Sequence, residues 1–439
     1  MKLPATGTPR DKLDEQLRAQ RERDVDFQHG KIWTLVYYAG DDVADLLSDT
    51  FRDFLYTNGL GPSAFRSLKK FESEVVAMTV DLLGKSDAVG NMTSGGTESI
   101  LMAVKAARDW AADQRPNVTQ PEMLLPVTAH PAFDKAAHYL RLKVVPVPIR
   151  DDLRADIDAA KAAITGNTIL IVGSAPNYPF GTIDPIPELA ALAEERGICC
   201  HVDACLGGFF LPFLRKLGEP VPPFDFSVPG VTSISADLHK YGYSVRGTST
   251  ISYRDRDLRR YQFFSQANWP GGLYGSPTMT GSRPGAAIAA SWAILNYLGE
   301  DGYVKLTKTT METTRALKDG INAIPGLQVR GEPDMSVVAY GSDEFDCYGI
   351  VDPMSARGWE VERLQRPPNL HLVVTEAHKE AAAPFLADLR ECAAEAAAKG
   401  SGEGGSAAVY GSLDALPDRG KVDEVILSFV DRMTNLEQE

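Results

Sequence analysis

The 439-residue sequence contains no apolar run long enough to cross a bilayer as a helix, which takes about eighteen or more residues. Only five cysteines occur. Three of them, Cys199, Cys200 and Cys205, crowd together far from Cys347 and Cys392, a spacing that excludes a secreted disulfide framework. Basic residues are in the minority, with 45 Lys and Arg against 59 Asp and Glu and a net charge of -14. That balance excludes a nucleic-acid surface or a general attraction to anionic lipid, so any bound phosphate must be met by a few placed groups. The first thirty residues have no apolar core of the kind a signal peptide needs, and a soluble protein of the reducing cytoplasm is expected. No internal repeat, no second CxxC or HxxxH, and no Walker lysine are found.

What is present is an ordinary globular composition, 44% hydrophobic, sufficient for a substantial core and two or three domains by length. Residues 1–59 read as an N-terminal arm, with a short amphipathic helix over residues 10–24 (Leu13, Leu17) followed by "IWTLVYYAG". From 60 to 300 helical stretches such as "SILMAVKAARDWAA" alternate with short apolar runs, "KVVPVPI", "TILIVGSA" and "GICCHVDAC". The fold class implied is α/β, a mostly parallel sheet covered by helices. In "DPIPELAALAEERGI" the prolines start a helix and Gly197 stops it. Residues 301–439 change character: a long amphipathic helix leads into strand and helix signals, read as a smaller C-terminal α+β domain. Its Ala-rich "AAEAAAK" runs into a Gly/Ser-rich loop after residue 400.

Three stretches carry chemistry. In "NMTSGGTES", residues 91–99, Gly95, Gly96 and Thr97 stand immediately before a helix whose free N–H groups and dipole favour an anion; an ordinary cap by Ser94 or Thr97 is the alternative. In "CCHVDAC", residues 199–205, strand alternation places Cys199, His201, Asp203 and Cys205 on one face, where they do not converge on a tetrahedral metal. No metal site is therefore expected, and Asp203 falls at the C-terminal end of a parallel strand, where ligands of open α/β sheets sit. A buried Asp requires a cationic partner or several donors. In "SISADLHKYGYSVRG", residues 233–247, Lys240 follows His239. A phosphate cradle, an acid at a strand end and then a lysine match the needs of pyridoxal phosphate: a phosphate site, a partner for the ring nitrogen and a Schiff-base amine. His130, in "TAHPAF", offers a flat side chain to stack on the ring.

"TSGGTES", "HVDACLGGF", "SISADLHKYGY" and "GGLYGSPTMTGSRPG" closely resemble the sphingosine-1-phosphate lyases, in the group II decarboxylase branch of fold-type I pyridoxal-phosphate enzymes. The likeness runs from about residue 36 to about residue 412. It implies that residues 60–300 bind the cofactor, with Lys240 bonded to it, Asp203 on its ring nitrogen, His130 stacked on the ring, Gly96, Thr97 and His239 near its phosphate, and Cys205 under the ring. Tyr37, Tyr178 and Arg246 would face the substrate, a phosphorylated sphingoid base split into a long-chain aldehyde and phosphoethanolamine. The resemblance also implies a homodimer with shared active sites, reached by "YGSPTMTGSR" and the loop after residue 400. The chain departs from the family at Arg246, commonly Lys, which keeps a phosphate-binding role but not proton transfer, and at Phe180, His in many relatives. The eukaryotic members' membrane anchor has no counterpart in the sequence, which implies a soluble form. The residues leave two other readings open: an amino-acid decarboxylase using the same cofactor, and a catalytically idle binding protein.

Overall fold

The computed structural model describes residues 2–61, 63–399 and 419–433. Seven strands, β1 (Val89–Thr93), β2 (Glu122–Pro126), β3 (Lys143–Val147), β4 (Thr168–Ser174), β5 (Cys199–Asp203), β6 (Ser233–Ala236) and β7 (Ser249–Tyr253), form one sheet in the order β1-β7-β6-β5-β4-β2-β3. Only β7 runs antiparallel to its neighbours. The expected mostly parallel sheet is therefore present. Strands β4 and β5 are buried at every residue, and their near-continuous apolar sequences follow from helices covering both faces.

The helix Gly96–Gln114 buries Ile100, Leu101, Met102, Ala103 and Val104 in succession, because it is enclosed on several sides, and its many alanines allow close approach to the sheet. The helix Ile186–Arg196 begins with proline in its first turn and ends at Gly197, which takes φ +58°, as the sequence predicts.

The helix Gly285–Asn322 is broken at Gly299, whose φ of +57° and ψ of -175° are not helical. Its first part packs Ile288, Ile294 and Leu295 into the core of the main sheet; its second part sends Leu317 and Ile321 into a separate core. That second core covers an antiparallel sheet, β10-β11-β13-β12, made of β10 (Gln328–Val329), β11 (Val337–Gly341), β12 (Glu362–Gln365) and β13 (Pro368–Val373). The helix Ala382–Lys399 lies against it, giving the smaller α+β unit. A short ribbon, β8 (Phe264–Gln266) with β9 (Tyr274–Ser276), stands apart.

The N-terminal arm links both units. The helix Arg10–Arg21 buries no residue, so the expected amphipathic face, Leu13 and Leu17, is uncovered. Beyond it, Trp33 stacks on His378 at 4.3 Å and packs against Phe385 in the smaller core, while Tyr37 packs against the main core. The Gly/Ser-rich loop expected after residue 400 lies outside the described residues.

Candidate active site

The C-terminal ends of β1, β2, β4, β5 and β6 open on one cavity of about 370 Å³, whose wall includes Gly96, Thr97, His130, Tyr178, Asp203, Cys205, His239 and Lys240. Eight of the residues singled out in the sequence thus meet where a parallel sheet places its ligands. Tyr37 and Arg246 complete the group from beside Lys240: the Arg246 guanidinium lies 5.5 Å above the Tyr37 ring, and Tyr37 feels the charges of Lys240 and Arg246. A larger cavity of about 480 Å³ lies between Glu72 and Arg283, but those two side chains already satisfy each other in a two-pronged pair at 2.6 and 2.9 Å.

At the cradle, Gly95 precedes the helix without any side-chain cap, so neither Ser94 nor Thr97 takes the capping role. The first-turn amides have no intrahelical acceptor by position and remain available to a ligand. A Cβ on Gly96 would stand 2.8 Å from Asp237 Oδ2 and 2.9 Å from Cys205 Sγ; only glycine fits. Glu98 supplies the organisation in their place. Its buried carboxylate accepts from Ser94 N at 2.6 Å, Met279 N at 2.8 Å and Thr280 N at 3.2 Å, binding the 274–283 loop to the cradle.

The acid at the strand end is held from below. Asp203 Oδ1 accepts from Cys205 N at 3.0 Å and from Ser235 Oγ at 3.3 Å. Ser235 Oγ in turn accepts from Cys205 Sγ at 3.3 Å and meets His201 Nε2 at 3.3 Å, while His201 Nδ1 meets Ser233 Oγ at 2.9 Å. Burial drives the His201 pKa down to about 4 against the pull of Asp203, so the ring is neutral and serves as a fixed dipole under the carboxylate. The strand ends at Asp203, which corrects the expectation that Cys205 shares a face with it by alternation. Cys205 reaches the cavity because the chain turns back onto the carboxylate, and burial raises its thiol well above the usual range.

Lys240 Nζ lies 2.9 Å from Asp237 Oδ2, with His239 Nε2 at 3.6 Å from the same oxygen. Burial opposes charge on Lys240, yet Asp237 outweighs it and raises the lysine above its normal value. Burial likewise works against Asp237, but Lys240 and His239 hold it below the usual carboxylate range. His130 Nδ1 accepts from Ala132 N at 3.1 Å; burial lowers its pKa despite Asp203, leaving a neutral ring. His239 Nδ1 accepts from Thr248 N at 3.2 Å, and its carbonyl accepts from Arg246 Nη1 at 3.1 Å. Burial lifts the Tyr37 hydroxyl to about 12. Tyr178 donates to Glu362 Oε2 at 2.6 Å. Phe180 is buried in the core.

Two oxygens on this wall, Ser174 Oγ and Asp237 Oδ1, are buried without a hydrogen-bond partner. Together with the uncapped cradle, the carboxylate aimed from β5 and the single lysine, they fit pyridoxal phosphate: amides for the phosphate, an acid for the ring nitrogen and an amine for the aldehyde. Among the described residues no group of three or more His, Cys, Asp and Glu is arranged to hold a metal ion.

The family model of the pyridoxal-dependent decarboxylase conserved domain matches residues 2–342. The chain is 46% identical to a sphingosine-1-phosphate lyase of Arabidopsis thaliana over 98% of its own length and 80% of that protein. Its structure superimposes on a Burkholderia pseudomallei sphingosine-1-phosphate lyase with a TM-score of 0.91 at 38% identity, covering 99% of this chain and 97% of the other. The chain belongs to the sphingosine-1-phosphate lyase family. Within the wider group, a probable L-tyrosine/L-aspartate decarboxylase of Methanothermobacter thermautotrophicus is 35% identical over 73% of this chain and 86% of its own.

Sequence reasoning missed Asp237, Glu98, Ser235 and Glu362. Asp237 stands three residues before Lys240 in the turn that follows β6, where only its burial sets it apart from an ordinary surface pair. Glu362 was not visible from its own neighbours: only the hairpin register, which sets it opposite His371, brings it to Tyr178.

Proposed function

We propose that the chain is a pyridoxal-phosphate-dependent lyase that cleaves a phosphorylated sphingoid base into a long-chain aldehyde and phosphoethanolamine. The observation that carries this reading is the reach of the likeness: identity to the lyase relatives spans essentially the whole chain, whereas the decarboxylase relative matches over 73% of it. Pyridoxal phosphate, when bound, would supply an aldehyde for the substrate amine and an electron sink for the pair released at Cα. The protein does the rest. The amides of Gly96 and Thr97, with His239 beside them, would hold the phosphate; Asp203 would hold the ring nitrogen in its protonated form, and His130 would cover the ring. Arg246 and Tyr37 grip the substrate phosphate, the guanidinium offering a two-pronged bond. Tyr178 faces the hydroxyl next to the scissile bond, and Lys240 returns a proton to carbon.

We read the working unit as a homodimer in a reducing compartment. The exposed side chains of Phe264, Trp269 and Leu273 on the 264–276 ribbon support the first point, and five unpaired cysteines support the second.

Purified protein supplied with pyridoxal phosphate and sphingosine 1-phosphate is expected to release a long-chain aldehyde and phosphoethanolamine. Release of carbon dioxide from an amino acid without any aldehyde would replace this reading with a decarboxylase. Arg246→Ala should raise KM for phosphorylated substrate roughly 10- to 100-fold, the loss of a charge-assisted pair, and leave the cofactor absorbance unchanged.

A further inference from the structure

Glu362 and His371 lie on neighbouring strands of the smaller sheet, and the antiparallel register of β12 and β13 sets them directly opposite each other. Both reach the wall of the main cavity at one residue. Tyr178 donates its hydroxyl to Glu362 Oε2 at 2.6 Å; His371 donates through Nε2 to the Tyr178 carbonyl at 2.8 Å, and the two rings lie 4.5 Å apart. With Nε2 committed, Nδ1 is the ring nitrogen turned toward Glu362. It is buried without a hydrogen-bond partner, 3.7 Å from Glu362 Oε2. The Glu362 side chain retains 42% of its exposure, which gives a proton taken up there a route to water.

Because its own proton is engaged by Glu362, the Tyr178 oxygen faces the cavity as an acceptor. Burial, and then the Glu362 charge, raise the Tyr178 hydroxyl far above its usual value, so it does not ionise alone and needs a partner to pass a proton on. We propose that Tyr178, Glu362 and His371 form a relay that removes the substrate's hydroxyl proton during carbon–carbon cleavage. The proposal rests on the lyase reading above. As the substrate O–H breaks, its proton goes to Tyr178 Oη while the Tyr178 proton passes to Glu362. The O–H electron pair becomes the new carbonyl bond, and the Cα–Cβ pair stays with Cα. Although burial opposes its charge, His371 and Tyr178 hold Glu362 below the usual carboxylate range, so it releases the proton to solvent before the next turnover. Tyr178 touches the substrate; Glu362 and His371 act through it as positioning residues.

Glu362→Gln keeps the size and an acceptor but cannot take the proton. In the holoenzyme it is expected to lower kcat for aldehyde release by about 10²- to 10⁴-fold, the scale of general base catalysis, with KM and cofactor absorbance unchanged. Glu362→Asp should recover part of the rate, and adding Tyr178→Phe to Glu362→Gln should cost little more. Exchange of the Cα hydrogen of phosphoethanolamine in D₂O breaks no O–H bond of the substrate and should survive in Glu362→Gln. A wild-type enzyme that releases no aldehyde removes the lyase reading itself. With an active wild type, any of three results overturns the relay: a Glu362→Gln rate within about threefold of it, a rise in KM at constant kcat, or exchange lost in step with cleavage. If Glu362→Gln does not fold, the same comparison is made on Tyr178→Phe and Glu362→Asp.

Discussion

Lys240 must lose a proton before it can attack an aldehyde, and its nearest charged neighbour opposes that loss. The Asp237 carboxylate at 2.9 Å keeps the ammonium form against the cost of burial. A lysine raised above its normal value presents little free amine at neutral pH, and the fraction grows only as pH rises. Replacing Asp237 by Asn removes the attraction and leaves burial acting alone, which lowers the lysine. Asp237→Asn is therefore expected to take up pyridoxal phosphate at lower pH than the wild type. Absorbance of the cofactor bond formed across a pH series on the apoprotein measures this, and an unchanged or higher midpoint would show that Asp237 does not govern the amine. That Lys240, Asp203 and His130 share one cavity with the Gly96–Thr97 cradle was legible from the sequence because the four features were read together as a set, each having an ordinary reading when taken singly. Asp237 was not, because an acid three positions from a lysine in a turn is an ordinary surface pair until burial is known, and here its side chain is only 1% exposed.

At the scale of elements, the cradle and the 274–283 loop are one structure, joined by Glu98. Three backbone amides from two segments converge on a carboxylate at a helix N-terminus, where the dipole also favours negative charge. Glu98→Ala leaves them without their acceptor, and each buried unpaired group costs about 1–3 kcal/mol before relaxation. The loop is expected to release: amide hydrogens of Met279 and Thr280 should exchange at least tenfold faster in Glu98→Ala while those of β4 and β5 stay protected. Unchanged exchange in the loop would mean that Glu98 serves the helix alone. The sequence showed the elements here more clearly than their junctions. Strands β4 and β5 and the helix after the cradle follow from apolar runs and their Gly and Pro boundaries, which are local signals. The bond from Glu98 to Met279 and the register that sets Glu362 against His371 join residues distant in the chain, and no local period encodes them. The break at Gly299 was equally silent, since one glycine in a long helical pattern is usually tolerated.

Across the whole molecule, two buried histidines link acidity to the integrity of both units. His201 sits beneath Asp203 in the main sheet; His378 donates from Nε2 to the Ile32 carbonyl at 2.8 Å and accepts from Thr375 N at 2.8 Å, holding the N-terminal arm to the smaller unit. Burial lowers both from 6.5 to about 4. A histidine lowered on folding gives stability that is complete above its unfolded value and is lost as pH falls toward the folded one, about 1.4 kcal/mol per pH unit. Each histidine thus costs about 2 kcal/mol by pH 5. Asp184 acts in the opposite sense: burial raises it from 3.8 to about 6, so its penalty is full above pH 6 and recovers by about 1.4 kcal/mol at pH 5. The histidines outweigh it, and the holoprotein is expected to lose roughly 2–3 kcal/mol between pH 7.5 and 5, read from denaturant unfolding. His378→Asn should start less stable at pH 7.5 but lose about 2 kcal/mol less on acidification. A variant as acid-sensitive as the wild type would place the proton uptake elsewhere and leave His378 a purely structural clasp. The predicted result would instead make the joint that anchors Trp33 in the smaller core and leads on to Tyr37 beside the cavity the part of the molecule that acid opens.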